Sequence, residues 1–196
     1  MSTLHPCALS APEARLVRRA LRVLESRALR TAPVLYYFDD FQRYLQLRFA
    51  GLTNEQLHVL YLNLDRRLLA TEVEGYGNQK QVHSDLRAIA LRAIQLGAEF
   101  IVMAHNHPTD NARPSENDVR HLEWVECALT PLGLQLLDSF VVTSEGITSI
   151  RTYRNVLDEA QQRENQRDWD DRAAARRAKL AATRAAKAAR QSGDNA

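Results

Sequence analysis

The spacing of apolar positions predicts four helices in the first 150 residues. Apolar side chains recur at three- or four-residue intervals in four segments: about residues 12–28, a segment opening at Asp39 or Asp40, about residues 85–96, and a segment opened by Ser115. Ser10 and Ser84 are placed to cap the first and third of these helices. Gly97 is placed to end the third helix.

Apolar runs of strand length lie between these helices. They cover residues 57–64, 67–74, 100–104, 134–142 and 147–150. The first two runs are separated by a short polar turn and predict an antiparallel hairpin. Residues 100–104 are continuously apolar, which is typical of a strand covered on both faces. The order of elements therefore predicts an α/β fold, a mixed β-sheet flanked by helices.

Composition indicates one globular domain. The chain has 196 residues, and we divide it into an N-terminal helical segment (1–32), a domain (33–152) and a C-terminal tail (153–196). No apolar run approaches the roughly 20 residues of a membrane span, and the N-terminus lacks the layout of a signal peptide. Cys7 and Cys127 are too few for a disulfide framework. We expect a cytoplasmic protein.

The tail is basic and rich in alanine. Residues 172–190 contain seven basic side chains and no acidic one, although the whole chain carries a formal charge of only +2. Without an apolar stripe to dock it, we expect an exposed helix or a disordered extension. We favour a solvated extension over a nucleic-acid-binding arm, because a run of charge alone carries no means of reading a sequence.

The segment from residue 105 to residue 118 combines the residue types of a zinc site. His105 and His107 lie two residues apart at the end of the apolar strand, so both imidazoles point to one side. Asp118, in the first turn of the next helix, can supply a carboxylate. Three such ligands leave a fourth position for a water, which zinc activates as a nucleophile. Ser115 could then donate a hydrogen bond to the oxyanion, although capping alone also explains Ser115 and Asp118.

The spacing H-x-H-P-x7-S-x2-D resembles the JAMM motif of the JAB/MPN domain metalloproteases. The wording His-Asn-His-Pro, together with Leu62-Asn63-Leu64-Asp65 and Leu136-Leu137-Asp138, is similar to the bacterial RadC branch, a UPF0758-like family. The resemblance covers about residues 33–152. It implies a fold similar in layout to cytidine deaminases and the activity of a zinc metallopeptidase or isopeptidase that hydrolyses an amide in a peptide or protein substrate.

The resemblance also implies site residues. His105, His107 and Asp118 would bind the metal, Ser115 would be the oxyanion partner, and an upstream glutamate would be the general base. Glu72 matches the family's strand best, and Glu74 would point to the same side. The alternative function is a non-catalytic, metal-containing module that binds nucleic acid or a protein through the tail. The sequence does not name a substrate or an oligomeric state.

Overall fold

The computed structural model describes residues 8–78, 81–82, 85–107, 109–160, 163–164 and 167. Backbone contacts divide the chain into two units, Met1–Tyr153 and Arg154–Ala196. The first unit contains all the labelled elements below. Residues 150–160 are helical. The basic segment 172–190 lies outside the described residues.

The described residues of the first unit include the following four α-helices and six strands. The helices are α1 (Ala11–Leu24), α2 (Phe38–Phe49), α3 (Leu86–Leu96) and α4 (Glu116–Leu129). The strands are β1 (Gln56–Leu62), β2 (Leu68–Asn78), β3 (Gln81–Val82), β4 (Phe100–Asn106), β5 (Gln135–Val142) and β6 (Ile147–Ser149). These elements confirm the predicted α/β class, and each predicted helix and strand is present with shifted ends.

The six strands form one mixed sheet. Their order is β3-β2-β1-β4-β5-β6. Only the β4–β5 pair is parallel, and the predicted β1–β2 hairpin is antiparallel. In the antiparallel β1–β4 pair, Leu57 lies opposite His105. The start of β1 and the end of β4 therefore meet at one edge of the sheet.

Each face of the sheet has its own hydrophobic core. Alternate residues of β1 and β4, such as Val59 and Met103, pack with α3 and α4. The intervening residues, such as Leu60 and Val102, pack with α2. Because successive strand side chains point to opposite faces, a sheet covered on both sides needs continuous apolar runs, which is the pattern that β4 shows.

Three helix ends differ from the sequence prediction. Asp85, rather than Ser84, caps α3, since its carboxylate accepts hydrogen bonds from the backbone N–H groups of Arg87 and Ala88. Ser84 lies outside the described residues. Helix α2 begins after Tyr37, one or two residues before the predicted aspartates. Helix α1 ends at Leu24, where the chain widens into a π-helical turn at Glu25–Leu29.

No described helix is both long and apolar enough to cross a membrane.

A histidine is buried beneath α2. His58 on β1 is 3% exposed, and its ring packs 4.3 Å from the Phe49 ring, measured between centroids. Arg48 donates a 3.4 Å hydrogen bond to the Nδ1 atom of His58, which must then carry a lone pair. Burial and the positive charge of Arg48 lower the pKa of His58 to about 3. His58 is therefore a neutral core residue at neutral pH.

We expect Gly97→Ala to lower the free energy of unfolding by about 1 kcal/mol. Gly97 ends α3 with a φ of 63°, a left-handed conformation that disfavours any Cβ. No heavy atom lies within 4 Å of the Cβ position, so the cost is conformational rather than steric. Gly146→Ala is the control, because Gly146 lacks a positive φ of this kind, and we expect it to leave the free energy of unfolding unchanged or to raise it by up to about 1 kcal/mol. Urea unfolding of both variants measures the difference, and equal effects would contradict the assignment.

We expect the free energy of unfolding of His58→Gln to fall less in mild acid than that of the wild type. The unfolded state binds a proton at His58 near its ordinary pKa of 6.5, whereas the folded state does so only near 3. Stability from neutral His58 is therefore fully present above pH 6.5 and is lost as the pH falls toward 3. Between pH 7 and pH 5 this loss amounts to about 2 kcal/mol. Urea unfolding at both pH values checks it, and an identical pH dependence in wild type and variant would contradict a neutral His58.

Candidate metal centre

Two histidines converge at the carboxyl end of β4. Strand alternation places the imidazoles of His105 and His107 on the same side, the face covered by α3 and α4. Their Nε2 atoms lie 3.1 Å apart. His105 is 5% exposed, and His107 is partly buried. Two nitrogen atoms thus face a common point at the sheet edge.

The first turn of α4 brings a carboxylate to the same point. Asp118 Oδ1 lies 3.3 Å from His105 Nε2, and Asp118 Oδ2 lies 3.7 Å from His107 Nε2. Ser115 is the N-cap of α4, and its hydroxyl and backbone N–H donate to Asp118 Oδ2 at 2.7 and 2.6 Å. Asp118 can take part in the capping box through Oδ2 and still approach the histidines, because its Oδ1 atom remains directed at His105. The structure therefore brings together all four residues of the motif.

The loop between β4 and α4 is held at two points. Asp110 adopts a φ of 58° and accepts hydrogen bonds from the backbone N–H of Ser144, at 2.7 Å, and from its hydroxyl. The carbonyl oxygen of Asn111 lies 2.7 Å from His107 Nδ1. A carbonyl can only accept, so Nδ1 of His107 carries the hydrogen and Nε2 of a neutral ring presents its lone pair to the centre.

A second carboxylate reaches the histidines from β1. Glu55 directly precedes β1, whose second residue, Leu57, pairs with His105. One ligand atom from each of Glu55, His105 and His107 can be chosen so that all lie within 4.8 Å of one another. Among the described residues, these three side chains form the group that could hold a metal ion.

The spacing of these atoms fits a small metal ion. Zinc bonds of 2.0 to 2.1 Å in a tetrahedral arrangement put neighbouring ligand atoms about 3.3 Å apart. The separations of 3.1 Å between the imidazoles and of 3.3 and 3.7 Å to Asp118 lie close to that value. The hydrogen bond from His107 Nδ1 to a carbonyl is the kind of contact that orients a metal-ligating histidine. The donor atoms therefore suit a divalent metal.

The centre perturbs its own titratable groups. Burial opposes ionisation of Asp118, but the neighbouring imidazoles of His105 and His107 and the hydrogen bonds from Ser115 hold the pKa of its carboxyl well below the usual range. Burial raises the pKa of Glu55, and the two histidines only partly offset this effect. The two carboxylates of the site thus have pKa values displaced in opposite directions, so Asp118 is the more readily ionised of the two.

The glutamates assigned as bases from the sequence lie elsewhere. Glu72 forms an ion pair with Arg92, with Oε1 2.6 Å from Nη2 and 2.8 Å from Nε. Glu74 accepts a 2.9 Å hydrogen bond from the hydroxyl of Tyr61. Both glutamates lie on β2, and the pairing with β1 passes over Glu74 between Val73 and Gly75. Among the described residues, the structure groups Glu55, rather than Glu72 or Glu74, with the two histidines.

Sequence reasoning missed Glu55 because its position depends on a strand pairing. The only local signal is an acidic residue immediately before the buried run that begins at Leu57. Fifty residues separate Glu55 from His105, and nothing in the spacing indicates that β1 lies beside β4. The family resemblance instead implied a glutamate on β2, which lies one position further from β4 in the sheet.

Comparison with known proteins agrees with the fold. Residues 35–156 match the family described as "RadC-like JAB domain". A UPF0758 protein of Polaromonas sp. is 36% identical over 136 residues, which cover 69% of this chain and 58% of that protein. UPF0758 protein YfjY of Escherichia coli is 32% identical over 136 residues, covering 69% of this chain and 84% of that protein. A UPF0758 protein of Aquifex aeolicus is 41% identical over 92 residues, covering 47% and 39%.

The chain spans little more than half the length of several UPF0758 relatives. It covers 58% of the Polaromonas protein and 52% of a UPF0758 protein of Acidovorax sp. strain JS42. The names of these relatives state no activity. The match to the domain family nevertheless covers more than half of this chain, including the sheet and every residue of the centre. The chain therefore belongs to the RadC-like JAB domain family.

Proposed function

We propose that this chain is a zinc-dependent hydrolase that cleaves an amide bond in a peptide or protein, as a metallopeptidase or isopeptidase. The observation that carries the proposal is the convergence of two imidazoles and two carboxylates at the end of β4. Membership of a JAB family supports a hydrolytic role for such a centre.

His105, His107 and Asp118 would hold the metal. Their donor atoms are an imidazole pair and one carboxylate, a set that catalytic zinc sites use when they keep one position open. When bound, zinc lowers the pKa of a coordinated water to about 7 and polarises a substrate carbonyl. Ser115 keeps Asp118 oriented through the two hydrogen bonds to Oδ2.

Glu55 would be the general base. It lies beside both histidines, and burial raises the pKa of its carboxyl, which helps it to hold a proton taken from the attacking water. It would then pass that proton to the leaving amine. Glu72 lacks this location, and its charge is matched by Arg92.

The oxyanion role of Ser115 stays a prediction. Its hydroxyl is a single donor, and it is directed at Asp118. A hydrogen bond to a substrate oxygen would require the hydroxyl to turn away from Oδ2, while the backbone N–H of Ser115 continued to hold that oxygen. Both roles are compatible with its exposed position at the start of α4.

We expect the purified chain to bind one zinc ion and His107→Ala to lose it. Removing an imidazole that faces the centre leaves too few ligands for tight binding. His58→Gln is the matched control, since it removes a histidine from the opposite face of the sheet. Elemental analysis after dialysis, with circular dichroism to verify folding, measures both variants. Wild-type protein without metal, or His107→Ala with full zinc content, would contradict the proposed centre.

We expect Glu55→Gln to keep its zinc and to lower hydrolysis by about 100-fold or more, because the amide cannot accept the proton. Glu72→Gln should hydrolyse at nearly the wild-type rate, since it breaks only the pair with Arg92. The assay uses synthetic linear peptides and lysine-branched isopeptides, with products identified by mass spectrometry. A large loss in Glu72→Gln alongside an active Glu55→Gln would refute the assignment. Zinc-loaded protein that cleaves neither class would refute the proposed activity.

A further inference from the structure

The middle residue of His-Asn-His points away from the metal centre. Strand alternation directs the side chain of Asn106 to the face opposite His105 and His107. Asn106 is 6% exposed, so its amide must find partners within the protein. The two partners that it finds both belong to the segment that carries Glu55.

The Asn106 amide holds the main chain on both sides of Glu55. Its Oδ1 atom accepts a 2.9 Å hydrogen bond from the backbone N–H of Gln56. Its Nδ2 atom donates a 3.1 Å hydrogen bond to the carbonyl oxygen of Asn54. The backbone register between β1 and β4 ends at Leu57 opposite His105. The side chain therefore continues the ladder where main-chain pairing stops.

An amide side chain can make this pair of contacts because it donates and accepts through two separate atoms. It carries one accepting oxygen and one donating nitrogen, whereas an ionised carboxylate only accepts and a hydroxyl offers a single atom. Without these bonds, Glu55 would sit at the end of a loop whose residues Thr53 and Asn54 are exposed. Such a segment would have several backbone conformations, and the carboxylate would spend less time beside the histidines.

We propose that Asn106 is a positioning residue that fixes Glu55 against the metal-binding strand. The inference rests on the proposed function for its catalytic consequence, because it assigns the base to Glu55. One short stretch of β4 then serves both faces of the sheet: the flanking imidazoles hold the metal, and the amide between them locates the base.

A double-mutant cycle tests this coupling. We expect Asn106→Ala to lower kcat by about 10- to 100-fold, the range for groups that orient a site residue, with KM little changed and zinc retained. In a Glu55→Gln background the same substitution should lower the rate no further, because its effect passes through Glu55. Asn63→Ala is the matched control: it removes an asparagine side chain that accepts from the backbone N–H of Arg67 beyond the other end of β1. It should leave kcat unchanged.

Three outcomes would overturn the inference. An equal loss of rate with and without Glu55 would show that Asn106 acts independently of the base. Loss of zinc from Asn106→Ala would show that it supports the metal ligands instead. Full activity of Asn106→Ala would also overturn it.

Hydrogen exchange supplies a test that does not depend on activity. We expect the backbone amide of Gln56 to exchange faster in Asn106→Ala than in wild type, and at the wild-type rate in Asn63→Ala. If the chain cleaves no substrate, this result retains the link between Asn106 and the Glu55 segment while the proposed function fails. Unchanged exchange at Gln56 would overturn the inference whatever the activity.

Discussion

The antiparallel register of β1 against β4 is the constraint on which the candidate metal centre depends. Leu57 opposite His105 places the residue before β1 next to the imidazoles at the end of β4. A slip of one residue would reverse the faces of the strand and turn its apolar side chains out of their cores. Because both faces of the sheet are packed, the two hydrophobic cores enforce the register, and the register in turn brings Glu55 to the histidines.

The centre concentrates polar groups where the sheet is otherwise apolar. Each buried group has a partner: the Asn111 carbonyl for His107, Ser115 for Asp118, and the main chain around Glu55 for Asn106. Among the described residues, no buried side-chain nitrogen or oxygen lacks a hydrogen-bond partner. These contacts offset the cost of burying polar atoms and also restrict their motion. The hydrogen bonds that offset the cost of burying these polar groups thus also fix the geometry of the site.

The helix start at Ser115 illustrates how structure and chemistry share residues. A capping box needs a hydroxyl and a carboxylate three residues apart, and the metal centre needs a carboxylate at this same turn. Asp118 satisfies both requirements because its two oxygens face different partners, Ser115 on one side and His105 on the other. Asp118 can therefore take part in the helix cap and in the candidate metal centre at the same time.

Local patterns predicted the elements well because helix and strand periodicity, and the stop at Gly97, depend on nearby residues. The predicted start of α3 was less accurate. Asp85 rather than Ser84 caps this helix, because adjacent polar residues compete for the same role.

The sequence by itself predicted His105, His107 and Asp118 as metal ligands, because the two histidines share one strand end and the next helix begins close by. Only the tertiary structure decided which glutamate joins them. Glu72 and Glu74 lie on β2 and are engaged by Arg92 and Tyr61, whereas Glu55 is carried to the histidines by the β1–β4 pairing. That pairing joins residues fifty positions apart through backbone hydrogen bonds and two buried cores, and backbone groups are the same in every residue, so no local pattern of side chains records it.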